Sequence, residues 1–138
     1  MSAEANKALV RRFVEEVQTD GNIGAVDEFL ADNFVNHSVR PGLPPDRAGL
    51  KQLFTLFRQA FPDARAVIHQ QIAECDDVMT RKSLHGTHEG AFLGIPATGR
   101  EVTIDVIDIL RVADGKITDH WSVVDRLGFM QQLGAIAT

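Results

Sequence analysis

Apolar residues recur at helical spacing in the first 61 positions of the chain, apart from a short extended segment, 32–38, and the proline-rich loop after it, and alternate with polar residues from residue 64 onward. The helical spacing predicts three helices, over 3–19, 23–31 and 47–60. The alternation predicts strands over 64–74 and 77–90, a long hairpin over 100–125, and then a short closing helix, 126–133. Helices followed by antiparallel strands predict an α+β fold, in which a curved sheet packs on N-terminal helices and encloses a pocket. Residues 1–138 are expected to form a single domain.

The hairpin turns at Asp114-Gly115, and its register decides which ionisable side chains meet. A two-residue loop places Asp108 opposite Trp121, whereas a three-residue loop starting at Ala113 places Asp108 opposite His120. The three-residue loop is favoured, because it leaves one mostly apolar face that carries a single acid and a single histidine. A slip of one residue would exchange the two faces.

The favoured register divides the hairpin into two faces. The inner face is predicted to hold Val106, Asp108, Leu110, His120, Ser122 and Val124. The outer face is predicted to hold Ile107, Ile109, Ile117, Trp121 and Val123. An apolar outer surface of this kind predicts a homodimer that pairs through the outside of the sheet. Asp46 and Asp125 precede helices and are predicted to cap them.

Composition narrows the functional class. The chain is 44% hydrophobic and 24% charged, with a net charge of −5 and no basic stripe, which argues against a nucleic-acid partner. No apolar run is long enough to cross a membrane, and the N-terminus lacks a signal-peptide core, so a cytoplasmic protein is expected. Cys75 is the single cysteine, which rules out an internal disulfide. The spacing of His69, His85 and His88 does not indicate a metal site.

Asp108 and His120 form the main candidate for chemistry. A carboxylate beside an imidazole orients the ring and is expected to raise its pKa, giving a group that moves protons near neutrality. The alternative is a cross-strand ion pair with a purely structural role.

Other residues are candidates for substrate binding. Asn36 and His37 follow the apolar pair Phe34-Val35, where they could hydrogen-bond a substrate carbonyl or satisfy the loop backbone. Met79 and Arg81 share a strand face. An arginine there could bind an anionic or carbonyl oxygen of a substrate, and the alternative is a solvated strand residue. Phe57 belongs to a helical phenylalanine stripe that forms core or lines the cavity.

Three segments carry a resemblance to a known family. GTHEGAFLGIPATGREV, ILRVADGKITDHW and the final LGFMQQLG resemble the SnoaL-like polyketide cyclases, also called ester cyclases, of the NTF2-like superfamily. The resemblance implies an α+β cone, usually dimeric through the outer sheet surface, with no metal and no cofactor. It also implies intramolecular aldol closure of a polyketide methyl ester, in which a carboxylate removes an activated C–H proton.

The resemblance assigns roles residue by residue. The family's pocket asparagine matches Asn36, and its second-arm histidine matches His120. Its first-arm histidine is Asp108 here, and its essential aspartate is Ser122, which cannot act as a general base. Either Asp108 with His120 transfers the proton on a small apolar carbonyl compound, or the chain is a non-catalytic small-molecule-binding module. A third hypothesis is an interaction protein that uses the outer face of its sheet.

Overall fold

The computed structural model describes residues 2–137, so Met1 and Thr138, the end residues of the predicted domain, lie outside it. The helices are α1 (Ala3–Phe13), α2 (Val26–Phe29), α3 (Arg47–Ala60) and α4 (Arg126–Gln132). The strands are β1 (Leu30–Asn36), β2 (Arg65–Glu74), β3 (Asp77–Thr87), β4 (Glu101–Ala113) and β5 (Lys116–Val124). This order, helices before most of the sheet, confirms the predicted α+β class.

The N-terminal helix has the predicted extent but changes form along its length. After α1 the chain continues as a π-helix, Val14–Thr19, whose wider turn still buries Val14 and Val17. The predicted second helix is shorter than expected, because a 3₁₀ turn, Ile23–Ala25, leads into the four residues of α2. Leu30 already has extended backbone and pairs with Ile117, so tertiary pairing ends this helix early.

The five strands form one sheet in the order β1-β5-β4-β3-β2. All neighbouring pairs are antiparallel except β1 and β5, which run parallel. The expectation of an entirely antiparallel sheet is therefore wrong at this edge. The parallel pairing matters for the site, because it sets Asn36 directly beside His120.

Helices cover one face of the sheet and bury its apolar side chains. Alternate residues of β4 are buried from Val102 to Val112, as the period of a strand requires. Asp46 accepts a hydrogen bond from Gly49 N at 3.0 Å, and Asp125 accepts one from Gly128 N at 2.9 Å. Both predicted helix caps are confirmed.

The hairpin register differs from the favoured prediction. Its loop is the two residues Asp114-Gly115, since Ala113 pairs with Lys116, and a bulge at Thr118 then shifts the pairing by one residue. Asp108 consequently lies opposite Ser122, and the predicted direct pairing of Asp108 with His120 is wrong.

The bulge nevertheless restores the predicted faces beyond it. Asp108, His120 and Ser122 share the inner side of the sheet, as expected. Ile117 precedes the bulge and is fully buried, so its predicted outward position is wrong. Val124, predicted to face inward, lines the larger cavity but remains 42% exposed.

Candidate functional site

A buried ion pair forms the centre of the site. Lys82 Nζ on β3 lies 2.8 Å from Asp108 Oδ2 on β4, and the two side chains are only 2% and 4% exposed. Lys82 also donates to Gln18 Oε1 on the π-helix at 2.9 Å. Taking charges out of water costs several kcal/mol each unless they are paired, and these two residues compensate one another.

Asp108 keeps one oxygen without a partner. Its Oδ1 is buried and accepts no hydrogen bond within residues 2–137. Buried polar atoms almost always have partners, so an unpaired carboxylate oxygen is a candidate position for a ligand or for proton transfer.

His120 is oriented by Asn36 across the parallel strand pair. Its Nδ1 lies 2.9 Å from Asn36 Oδ1, which also accepts from Ser38 N at 3.0 Å. Because an amide oxygen only accepts, Nδ1 carries the proton, and Nε2 keeps its lone pair in the neutral ring.

Burial lowers the pKa of His120 from 6.5 to about 4. The neighbouring Asp108 opposes this shift, whereas Lys82 and His37 add to it. Asp108 acts in the expected direction, but the expected net rise in the pKa of His120 is wrong, since the desolvation of the ring outweighs the attraction of one carboxylate that is already paired. At neutral pH the ring is uncharged and accepts a proton or hydrogen bond at Nε2.

Two hollows adjoin on the inner side of the sheet. The larger cavity holds about 190 Å³ and is mostly apolar, with Leu53, Phe54, Phe57, Phe92, Ile104 and Phe129 among its walls. A small pocket of about 10 Å³, the size of one water molecule, is lined by Lys82, Asp108 and His120. Gln18 and Phe54 line both hollows, so they stand between the larger cavity and the ionisable groups.

The predicted site residues fall into two groups. Asn36, Asp108 and His120 come together on the inner side, with Ser122 opposite Asp108. Phe57 lines the larger cavity.

Three predicted substrate-binding residues lie elsewhere. Met79 and Arg81 are exposed on the outer face of β3, because alternation turns them away from the buried Thr80 and Lys82. His37 stacks on Trp121 with ring centroids 4.6 Å apart, and its Nε2 donates to Asp119 at 2.8 Å. None of these three residues lines the larger cavity, and Arg81, although exposed, borders a separate hollow together with Lys82.

Sequence reasoning missed Lys82 and Gln18. The signal for Lys82 was present, because Met79 and Arg81 were assigned to one face and alternation places Lys82 on the other. No periodic signal identified Gln18, since its position depends on the π-helical turn.

Among residues 2–137, no helix is long and apolar enough to cross a membrane. Within the same range, no three His, Cys, Asp or Glu side chains are grouped so that they could hold a metal ion.

The fold and site together define a small curved-sheet protein with an apolar cavity beside buried acid–base groups. The family model for SnoaL-like polyketide cyclases matches residues 8–133, and the chain belongs to this family. The predicted resemblance is thereby confirmed.

Individual relatives agree with this assignment. The aklanonic acid methyl ester cyclase DnrD of Streptomyces peucetius is 33% identical over 132 residues, covering 91% of this chain and 88% of the relative. The nogalonic acid methyl ester cyclase of Streptomyces nogalater is 28% identical over 116 residues, covering 83% and 87%. The structure of TsrD from Streptomyces laurentii superposes with a TM-score of 0.89 at 25% identity, covering 99% of both chains.

Proposed function

We propose that this protein is an acid–base catalyst that removes a C–H proton beside a carbonyl group of a small, mostly apolar compound. The family relatives include cyclases of aklanonic and nogalonic acid methyl esters, and the same proton removal would begin ring closure here. The unpartnered, buried Oδ1 of Asp108 is the observation that carries the proposal.

Asp108 replaces the aspartate that the family places at the position of Ser122. Ser122 lies opposite Asp108 on neighbouring strands, so a carboxylate from β4 can serve the space that the β5 residue would otherwise serve. The acid has thus moved to the adjacent strand while staying on the inner side of the sheet.

The proposed step uses only side chains of this chain. Asp108 Oδ1 takes the proton, and the C–H electron pair becomes an enolate. The enolate carbon attacks a second carbonyl carbon of the same molecule, and the resulting alkoxide takes the proton back. Lys82 offers positive charge near the developing oxyanion, and neutral His120 accepts a hydrogen bond at Nε2 from a substrate hydroxyl.

The substrate body would occupy the larger cavity. Its reacting carbon would reach Asp108 between Gln18 and Phe54, which line both hollows. Apolar walls keep water away from the carbanion.

Hydrogen–deuterium exchange of 2-tetralone in D₂O, followed by NMR, tests the proton step without the natural substrate. Asp108→Asn should slow the catalysed exchange by about 100-fold or more, as for loss of a general base. Asp105→Asn is the matched control, because Asp105 lies on the same strand but on its exposed outer face. It should exchange at the wild-type rate. Conversion of aklanonic acid methyl ester and of the corresponding free acid, monitored by chromatography, then tests ring closure.

Two outcomes would count against catalysis by Asp108. One is Asp108→Asn exchanging 2-tetralone as fast as wild type while remaining folded. The other is wild-type protein that binds 2-tetralone without accelerating exchange. The second result would favour a binding module, the function that Ser122 suggests.

We also propose that two copies pair through the outer face of the sheet. Val123 and Ile107 lie directly opposite one another there and are 75% and 46% exposed. Ile109 and Met79 extend the same apolar strip on the adjoining strand pair.

A further inference from the structure

The lining of the larger cavity is positively charged. Arg40, Arg58 and Arg126 all line it, and no Asp or Glu among residues 2–137 does. This contrasts with the whole chain, whose net charge is −5. The cavity therefore combines mostly apolar walls with positively charged arginine side chains, in a protein whose net charge is negative.

Arg58 has a structural role. Its Nη1 donates to the carbonyl oxygens of Ala64 at 2.7 Å, Thr19 at 3.1 Å and Gln18 at 3.4 Å. These bonds tie the end of the π-helix to α3 and leave this nitrogen occupied.

Arg40 has no such role. Its Nη1 is buried without a hydrogen-bond partner among residues 2–137, and no carboxylate in that range lies within 4.0 Å of its side chain. Its guanidinium carbon lies 5.4 Å from the centre of the Phe92 ring, which fixes the group beside the cavity. A buried guanidinium nitrogen without an acceptor is unfavourable unless a ligand provides the acceptor.

We propose that the cavity takes a ligand that is a free carboxylic acid, whose apolar body fills the hollow and whose carboxylate pairs with Arg40. A carboxylate matches the planar fork of one guanidinium and carries the single charge that Arg40 balances. Arg126 is exposed at the same cavity and adds to its positive potential. That this ligand is also the substrate rests on the proposed function, whereas its binding does not.

A free acid as ligand would set this chain apart from the relatives whose names specify methyl esters. An ester has no charge, cannot form the ion pair, and would leave Arg40 without a partner. The same cavity should therefore prefer an acid to its own methyl ester.

Fluorescence titration with 2-naphthoate and methyl 2-naphthoate tests this preference directly, since the two probes differ only at the carboxyl group. Wild-type protein should bind the acid about 10-fold more tightly than the ester, the scale of one charge-assisted contact. Arg40→Met should remove this preference by weakening the acid alone. Arg40→Lys should keep part of it.

Arg81→Met serves as the matched control, because Arg81 is an exposed arginine on the outer face. It should leave both affinities unchanged. Equal binding of acid and ester by wild type, binding of neither, or equal weakening of both by Arg40→Met in folded protein would overturn the proposal. Both probes are read by binding alone, so the outcome does not depend on proton transfer at Asp108, and a failure of binding is distinguished from a failure of the proposed function.

Discussion

At the scale of single residues, the site depends on a cation that the predicted acid–imidazole pair lacked. Lys82 Nζ forms an ion pair with Asp108 Oδ2 at 2.8 Å. Both charges act on the pKa of His120, in opposite directions. With the carboxylate already compensated, burial decides the state of the ring, so His120 stays neutral where an isolated Asp–His pair would be charged.

The depressed pKa of His120 predicts a stability change with pH. The unfolded chain binds a proton at His120 below about pH 6.5, but the folded protein binds it only below about pH 4. Stability contributed by the neutral ring is therefore full above pH 6.5 and is lost as the pH falls to 4. The expected loss is at most about 3 kcal/mol.

Urea unfolding of wild type and His120→Gln at pH 8, 6.5, 5 and 4 measures this loss. The difference between the two free energies of unfolding should be constant from pH 8 to 6.5 and should shrink below that. A difference that stays constant down to pH 4 would contradict the depressed pKa.

At the scale of elements, the pattern of apolar residues predicted which face each residue of β4 occupies but not how β4 pairs with β5. The Thr118 bulge leaves the alternation beyond it intact, so no periodic signal in the sequence reveals it. Leu30 likewise fits a helical pattern, and its pairing with Ile117, 87 positions away, decides in favour of a strand. Non-local pairings of this kind set the geometry of Asn36 and His120. The inward position of Asp108 was predictable, because it is the acidic residue among the apolar residues on the buried face of an alternating strand.

The junction between the loop after β1 and α3 gives a prediction at this scale. A Cβ at Gly49, in the first turn of α3, would lie 1.8 Å from the carbonyl oxygen of Pro44. Alanine favours a helix interior by about 1 kcal/mol over glycine, but so close a contact forces the loop or helix to move, which costs about 1–3 kcal/mol or more. Gly49→Ala should therefore lower the melting temperature.

Gly24→Ala is the matched substitution, because its Cβ would meet only Asn22 Oδ1, at 3.6 Å. Thermal unfolding should show Gly24→Ala within about 0.5 kcal/mol of wild type. A Gly49→Ala protein as stable as wild type would mean that the loop yields freely. In that case the close approach of Pro44 to Gly49 would not fix the position of the loop that contains Arg40.

At the scale of the whole molecule, the two sides of one sheet differ in the side chains that they present. The inner side holds the cavity and the buried charges. The outer side exposes Val123, Ile107 and Met79 among charged residues such as Arg81 and Asp105. Isolated exposed apolar residues are ordinary on a monomer, but an apolar strip across three adjacent strands is typical of a contact surface.

A second copy suits this surface, because a two-fold axis would bring the same strip together with itself. Sedimentation velocity should show twice the chain mass for wild type. Val123→Lys places a charge at the most exposed residue of the strip and should shift the protein to the monomer mass, since an unpaired charge in a dimer core costs several kcal/mol. Leu127→Lys is the matched control, because Leu127 is 58% exposed on α4, outside the strip. It should remain dimeric. A concentration of about 100 μM is well above the dissociation constants typical of stable dimers. If the wild-type protein sediments as a monomer at that concentration, the outer strip is a solvent-exposed surface and the dimer proposal is wrong.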